Sequence, residues 1–334
     1  MPRRAALLLL VAIILSGCAD IGNPFTGQPA RTSWAFEKTG LDALASRGLD
    51  GRGVIVAVVD TGIDPSHPDF AGVKIAAWKD LVQGKAAPYD DNGHGSHVAG
   101  IIAGQKLRGA APGVTLVVVK AIDASGNGSD SNVAAGIQFA AQNGARVICL
   151  SLGGGSLPIL GTESENAAKA AISAGVIVVA AAGNAGPNNQ DVNAPANVAG
   201  VVSVAAVDSN LRVATFSSRG SPNDPLVGGL GVPRSAPDEK PEISAPGVGI
   251  HSAWKDHQYA SADGTSQATP FVAATFALLL QAHPEATPTD AAHVEALKKA
   301  LVNAARPISG QQTPHDPAAG YGFLDAAGFV NAFG

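Results

Sequence analysis

Apolar residues in this chain gather in short runs, and the spacing of those runs predicts the fold. Val54–Val59 is apolar and mostly β-branched, closed by Gly53 before it and Asp60 after it, the pattern of a strand buried on both faces. Similar runs lie at Leu116–Val119, Val147–Leu150, Val176–Ala180 and Val201–Val204. Between and after them, Ser96–Gly104, Ser131–Asn143, Glu163–Ala174 and Thr269–Ala282 have the length and composition of helices. Strand and helix in alternation predict an α/β fold with a mainly parallel central sheet and helices on both faces. No repeat or composition break divides the chain after the first thirty residues, so a single domain is expected over 32–334. Ligands of such sheets gather at the carboxyl ends of the strands.

The start of the chain reads differently. Arg3 and Arg4 precede an apolar run from Ala5 to Leu15, followed by Ser16 and Gly17. Basic, apolar and small residues in that order make 1–17 a secretory signal. At 1.5 Å per residue the run is too short to cross a hydrocarbon layer of about 30 Å. Leu15-Ser16-Gly17-Cys18 resembles the lipobox of bacterial lipoproteins, which implies an acylated Cys18 as lipid anchor and a polar tether over 18–31. The same resemblance implies an exported, membrane-anchored protein on the periplasmic or cell-surface side. Ala19 in place of an inner-membrane retention aspartate is compatible with the outer membrane.

Composition narrows the function classes. With 46% hydrophobic and 15% charged residues the chain fills a sizeable core, which excludes general disorder. A net charge of −5 without a block of like charges argues against a nucleic-acid partner. Two cysteines, Cys18 and Cys149, exclude a disulfide framework. Cys149 lies inside an apolar run and is expected to behave as a small buried hydrophobe.

Three segments carry chemistry. Asp60, in Asp60-Thr61-Gly62-Ile63-Asp64, ends an apolar strand, where a carboxylate must find partners. His94 sits between Gly93 and Gly95, which leave the imidazole open on one side; His97 follows, but no third ligand at metal spacing supports a zinc site. Ser266, in Gly264-Thr265-Ser266-Gln267-Ala268-Thr269-Pro270, stands at or beside a helix N-terminus, where free amide donors favour developing negative charge. A serine needs a base to become a nucleophile, and the base needs an orienting acid. No Gly-x-Ser-x-Gly elbow supports a lipase or esterase instead.

Taken together, these segments resemble the subtilisin-like (subtilase) family, whose patterns read DTGID, HGTHVAG and GTSMATPHVAG. The resemblance covers about Trp34 to Asn331 and implies a serine endopeptidase with Asp60, His94 and Ser266 as its triad and an acyl-enzyme intermediate. It further implies Asn184, at the end of Val178–Asn184, as an oxyanion donor beside the Ser266 N–H. Ser151, Leu152, Gly153 and Gly154 resemble one substrate-binding edge, and Gly126, Asn127 and Gly128 the other, with the peptide held between them as an added strand. The bond before Pro195 is expected to be cis, as in the family.

The chain departs from the pattern in several places. Ser96 stands for threonine, Gln267 for methionine and Phe271 for histidine. The short segment 104–109 offers few oxygens for the family's tight calcium site, so that site is expected to be absent, Asp69 is expected to be a turn residue, and no cofactor is required; weaker calcium sites stay open. Asn193-Ala194-Pro195 replaces Gly-Tyr-Pro in the pocket wall, which points to a shallower pocket. Ser221–Lys240 is longer than usual and expected to be a mobile surface loop. No long prodomain separates the tether from the catalytic segment, which raises a chaperone or inhibitor acting in trans. Two functional classes stand: an active endopeptidase, and a catalytically silent lipoprotein acting as a binding or scaffold module.

Overall fold

The computed structural model describes residues 30–154, 162–189, 191–224 and 231–333, with the two short strands Ile13–Ile14 and Ala19–Asp20 ahead of them. Seven strands form the central sheet: β1 (Ile55–Asp60), β2 (Lys74–Asp80), β3 (Thr115–Lys120), β4 (Val147–Leu150), β5 (Ile177–Ala181), β6 (Val202–Val207) and β7 (Ile243–Pro246). Their spatial order is β7-β6-β5-β4-β1-β3-β2, and every pairing is parallel. A hairpin, β8 (Ile250–Ala253) and β9 (Tyr259–Ala262), lies outside this sheet.

Eight α-helices accompany the strands among the described residues: α1 (Ser33–Thr39), α2 (Leu41–Ser46), α3 (His94–Ala103), α4 (Asp130–Gln142), α5 (Glu163–Ser173), α6 (Thr265–Ala282), α7 (Ala291–Ala304) and α8 (Ala326–Asn331). Strand residues alternate between two cores. Val56, Val58, Cys149 and Val179 face α3 and α6; Ala57, Val59, Ile148 and Val178 face α4 and α5. Cys149 is fully buried and its thiol is pushed up to about 12, chiefly by that burial, in keeping with a packing role.

The chain runs from β1 to the β2 edge, returns to β3, then crosses to β4 on the other side of β1. The loops leaving β1 and β4 therefore diverge, and Asp60 stands at the mouth of the resulting crevice.

One expectation needs correction. Helix α6 begins at Thr265, four residues before the expected Thr269, with Pro270 inside it. Proline has no N–H to give the carbonyl four residues back. That carbonyl belongs to Ser266, and the Ser151 hydroxyl donates to it instead at 2.8 Å. The segment Ser221–Lys240, expected as a surface loop, is anchored at both of its described ends. Arg234 is almost buried and grips both carboxylate oxygens of Asp191 at 2.8 Å, and Lys240 is fully buried.

Lys240 belongs to a charged cluster at the start of β7. Glu242 Oε1 accepts from Lys240 Nζ at 2.6 Å and Lys298 Nζ at 2.7 Å, and its Oε2 accepts the Ser203 N–H at 2.7 Å. Lys298 also pairs with Asp238. Burial pushes Lys240 down to about 8, whereas Glu242 and Asp238 outweigh burial at Lys298 and raise it.

Residues 1–12, 15–18 and 21–29 lie outside the described residues, and with them the signal segment's basic start, Cys18 and most of the tether.

Candidate active site

Asp60 closes β1 as a fully buried carboxylate. Its Oδ1 accepts the Thr61 N–H at 2.7 Å and meets His94 Nδ1 at 2.8 Å; Oδ2 is buried with no partner among the described residues. The Asp60 charge is thus answered chiefly by His94. Burial alone would lower the imidazole's pKa, but the Asp60 charge, the bond to it and the Asp90 charge outweigh burial and raise it.

His94 is the first residue of α3, and its neighbours cap that helix. His94 N–H donates to Asn92 Oδ1 at 3.1 Å, Gly95 N–H to Thr61 Oγ1 at 2.7 Å and Ser96 N–H to Asp90 Oδ2 at 2.9 Å. His97 N–H then starts the regular ladder on the Gly93 carbonyl at 3.0 Å. Every orphan donor of the first turn is satisfied. His97 turns away: its Nε2 lies 3.0 Å from the Ile250 carbonyl and 3.1 Å from that of Ala260, and burial pushes it down to about 3. It is a neutral structural donor.

Ser266 is the second residue of α6. Its hydroxyl donates to the Ser151 carbonyl at 2.9 Å, and no hydrogen bond joins it to His94. Its N–H has no acceptor among the described residues, as the first turn of a helix provides none. Asn184 stands beside this turn. Its Oδ1 accepts both the Thr265 N–H and hydroxyl at 2.9 Å, while Thr265 Oγ1 accepts the Gly183 N–H at 3.1 Å. Those bonds turn the Oδ1 side of the amide toward Thr265.

The expected substrate edges are partly open. Gly154 exchanges both main-chain hydrogen bonds with Ala194, at 3.1 and 3.0 Å, so it belongs to the pocket wall and offers no free edge. Leu152 is buried in the core, and its backbone and that of Gly153 keep no main-chain partner among the described residues. On the opposite rim, Gly126 adopts φ +82°, Asn127 is exposed, and Asn127–Gly128 pairs antiparallel with Ile13–Ile14. Asn92 Nδ2 ties this rim to the His94 loop through the Ala124 carbonyl at 3.0 Å.

Asn193 lies against Gly153 and Gly183, where an added Cβ would come within 2.8 Å of its atoms. The Ala194–Pro195 bond is cis, as the family pattern implies.

Of the departures, Phe271 is buried edge-on against Phe36 of α1, with ring centroids 5.4 Å apart, so it joins two helices in the core. Gln267 is buried with Oε1 turned toward Gly264.

Asp69 does sit in a turn, the 3₁₀ segment Pro68–Phe70, but it is fully buried and organises the short loop beside it. Its Oδ1 accepts the N–H groups of Lys106 and Leu107, and its carbonyl accepts that of Gln105 at 2.8 Å. Its Oδ2 is buried with no partner among the described residues. Among the described residues no three His, Cys, Asp or Glu side chains gather around a metal position.

Sequence reasoning missed Asp90, Lys120 and the Ser151 hydroxyl. Lys120 is fully buried and donates to the carbonyls of Thr61 and Ile122 and to Asp91. A lysine ending an apolar strand opposite Asp60 was the available signal.

The sequence matches the profile of the Subtilase family over residues 51–323. It is similar to subtilisin DY of Bacillus licheniformis, 37% identical over 249 residues that cover 73% of this chain and 82% of that protein. Subtilisin Savinase of Lederbergia lenta is 40% identical over 255 residues, 75% of this chain and 85% of that one. The serine protease AprX of Bacillus subtilis is 35% identical over 318 residues, 83% and 69% respectively.

Proposed function

Because the chain belongs to the subtilase family and is a serine-type endopeptidase, we propose that Ser266 is its nucleophile, His94 its general base and Asp60 the acid that orients the base. The observation that carries this reading is the 2.8 Å bond between His94 Nδ1 and buried Asp60, which fixes the tautomer with Nε2 free to take a proton. In the reaction the Ser266 hydroxyl leaves the Ser151 carbonyl, its acceptor at 2.9 Å, and donates to that nitrogen instead. Ser266 Oγ then attacks the scissile carbonyl carbon as its proton passes to Nε2. The oxyanion is received by the Ser266 N–H and the Asn184 amide. Collapse expels the amine, which takes the proton from His94, and water releases the acyl group by the same route.

The protein or peptide substrate lies as an extended strand between Asn127–Gly128 and Leu152–Gly153. Backbone pairing gives affinity at such edges, and pockets between them give specificity. Asn193 limits the depth of the pocket behind Gly153.

The test is a fluorophosphonate probe that acylation-type serine nucleophiles attack. One label per chain is expected, mapped to Ser266, at a rate that rises with pH. Only neutral imidazole accepts the proton, and the Asp60 and Asp90 charges favour the cation, so the midpoint lies above the ordinary histidine value. A labelling rate flat between pH 5 and 9 would remove His94 as the base.

Residues 1–17 act as an export signal and Cys18 as a lipid anchor, on the sequence pattern alone. Exchange of Cys18 for alanine in an otherwise exported chain should move the protein from the membrane pellet to the soluble fraction. Retention of the correctly cleaved variant in the pellet would sink the anchor.

A further inference from the structure

We propose that Asp90 is a positioning residue of the triad, the carboxylate that holds the carboxyl end of β1 and the first turn of α3 in one fixed register. The inference rests on the triad reading above. Asp60 and His94 come from segments thirty-four residues apart, and a single bond between their side chains does not by itself fix two backbones.

Asp90 supplies the missing ties. Its Oδ1 accepts the Thr61 hydroxyl at 2.9 Å, the Asn92 N–H at 3.0 Å and the Gly93 N–H at 2.8 Å. Its Oδ2 accepts the Ser96 N–H at 2.9 Å and the Ser96 hydroxyl at 2.8 Å. An ionised carboxylate only accepts, so both hydroxyls must point their hydrogens at it. Each then presents a lone pair the other way. Thr61 Oγ1 receives the Gly95 N–H at 2.7 Å, and Ser96 Oγ receives the Asp64 N–H at 2.9 Å. These two bonds cross between the β1 loop and α3 in opposite directions, just beyond Asp60 and His94 along each segment. No side chain separates the backbones between them: a Cβ on Gly95 would stand 2.2 Å from the Gly62 carbonyl oxygen. Asp90 thus sets the direction of both cross-links although it touches neither Asp60 nor His94.

Its charge adds a second effect. A carboxylate at the N-terminus of α3 answers the positive end of the helix, which would otherwise oppose a proton on His94. Few other charges face that imidazole. Asp60 meets it from β1, and neutral His97 lies one turn along α3. Asp91 is paired with Lys120 at 2.6 Å, Lys255 of the β8–β9 hairpin bonds the Asp91 carbonyl at 2.9 Å, and α6 contains no charged residue.

The test is Asp90→Asn, read per active site after burst titration so that unfolded protein does not count. An amide turns one acceptor into a donor facing donors. A fall in kcat of about 10- to 100-fold with KM within about threefold is expected, the cost of a small misplacement of catalytic groups. The acid limb of kcat/KM should also move down by roughly half a pH unit, the effect of one unit charge seen through a dielectric between protein and water. Thr61→Val keeps the charge and removes one cross-link, so kcat should fall with the limb in place. An Asp90→Asn enzyme with fewer titratable sites, each with wild-type kcat and limb, would overturn the proposal. Should Asp90→Asn not fold, wild-type kcat per site in Thr61→Val combined with Ser96→Ala would overturn it equally. Failure of the wild type to take the phosphonate would instead strike the triad reading itself.

Discussion

Exchange of Ser266 for alanine should lower peptide hydrolysis by roughly a millionfold in kcat, a magnitude taken over from the subtilisin triad itself rather than derived from this geometry. The reasoning is local. Ser266 Oγ is the hydroxyl at the helix turn that also offers an N–H without an acceptor among the described residues. Removal of Oγ leaves that N–H and Asn184 in place, so a residual rate about 10³–10⁴ above water is expected from oxyanion binding alone. The fold should barely respond. The hydroxyl makes one hydrogen bond, to the Ser151 carbonyl, and such a bond contributes about 1 kcal/mol net. Turnover by the active-site-titrated wild type and variant, with melting curves for both, checks the pair of statements. A variant retaining even one part in a hundred of the wild-type rate would discard Ser266 as nucleophile.

The largest stability effect is expected far from that serine, at Glu242. Glu242, Lys240 and Lys298 are all fully buried, and Glu242 stands between the two ammonium groups. With Asp238 the four charges cancel. Glu242→Ala leaves two buried cations facing one carboxylate and takes the acceptor from the Ser203 N–H. Breaking a buried pair from one side costs about 3–5 kcal/mol. In a domain of this size that corresponds to a fall of roughly 5–15 °C in melting temperature. Removal of all three together, as Lys240→Met, Glu242→Leu and Lys298→Met, should restore only part of the loss, because it removes the buried cations but takes their partners from the Ser203 N–H, the Val198 and Val201 carbonyls and Asp238. Thermal unfolding of the single and triple variants decides the matter. A single variant that melts with the wild type would show that water reaches these charges.

The central strands were legible in the sequence because burial on both faces leaves no polar positions to disturb their apolar runs: Val147–Leu150 has the expected limits, and β1 and β3 differ from the expected runs by one residue at each end. Strand β2, Lys-Ile-Ala-Ala-Trp-Lys-Asp, was missed because it lies on the sheet edge with every residue but Asp80 at least partly exposed. Strand β7 escaped notice because it is four residues long and ends on Pro246. In the site, Asp60, His94 and Ser266 announce themselves by motif. Asp90 does not, since an acid in Asp90-Asp91-Asn92-Gly93 looks like any turn residue. Its role arises from contacts with Thr61, twenty-nine positions away, and Ser96, across a helix start, and local sequence carries no trace of either.

The proline in α6 gives the nucleophile an unusual mooring. A serine in an unbroken helix would share that helix's rigidity, its carbonyl fastened to the turn ahead. Ser266 is fastened sideways, through the Ser151 hydroxyl, to the strand end that continues into Leu152 and Gly153. The attacking atom is therefore carried by the rim that receives the peptide as much as by the rod behind it. On the reading proposed above, a peptide seated on that rim presses on the strut that holds the Ser266 carbonyl, so seating the chain to be cut and aiming the oxygen that cuts it are coupled through the Ser151 hydroxyl.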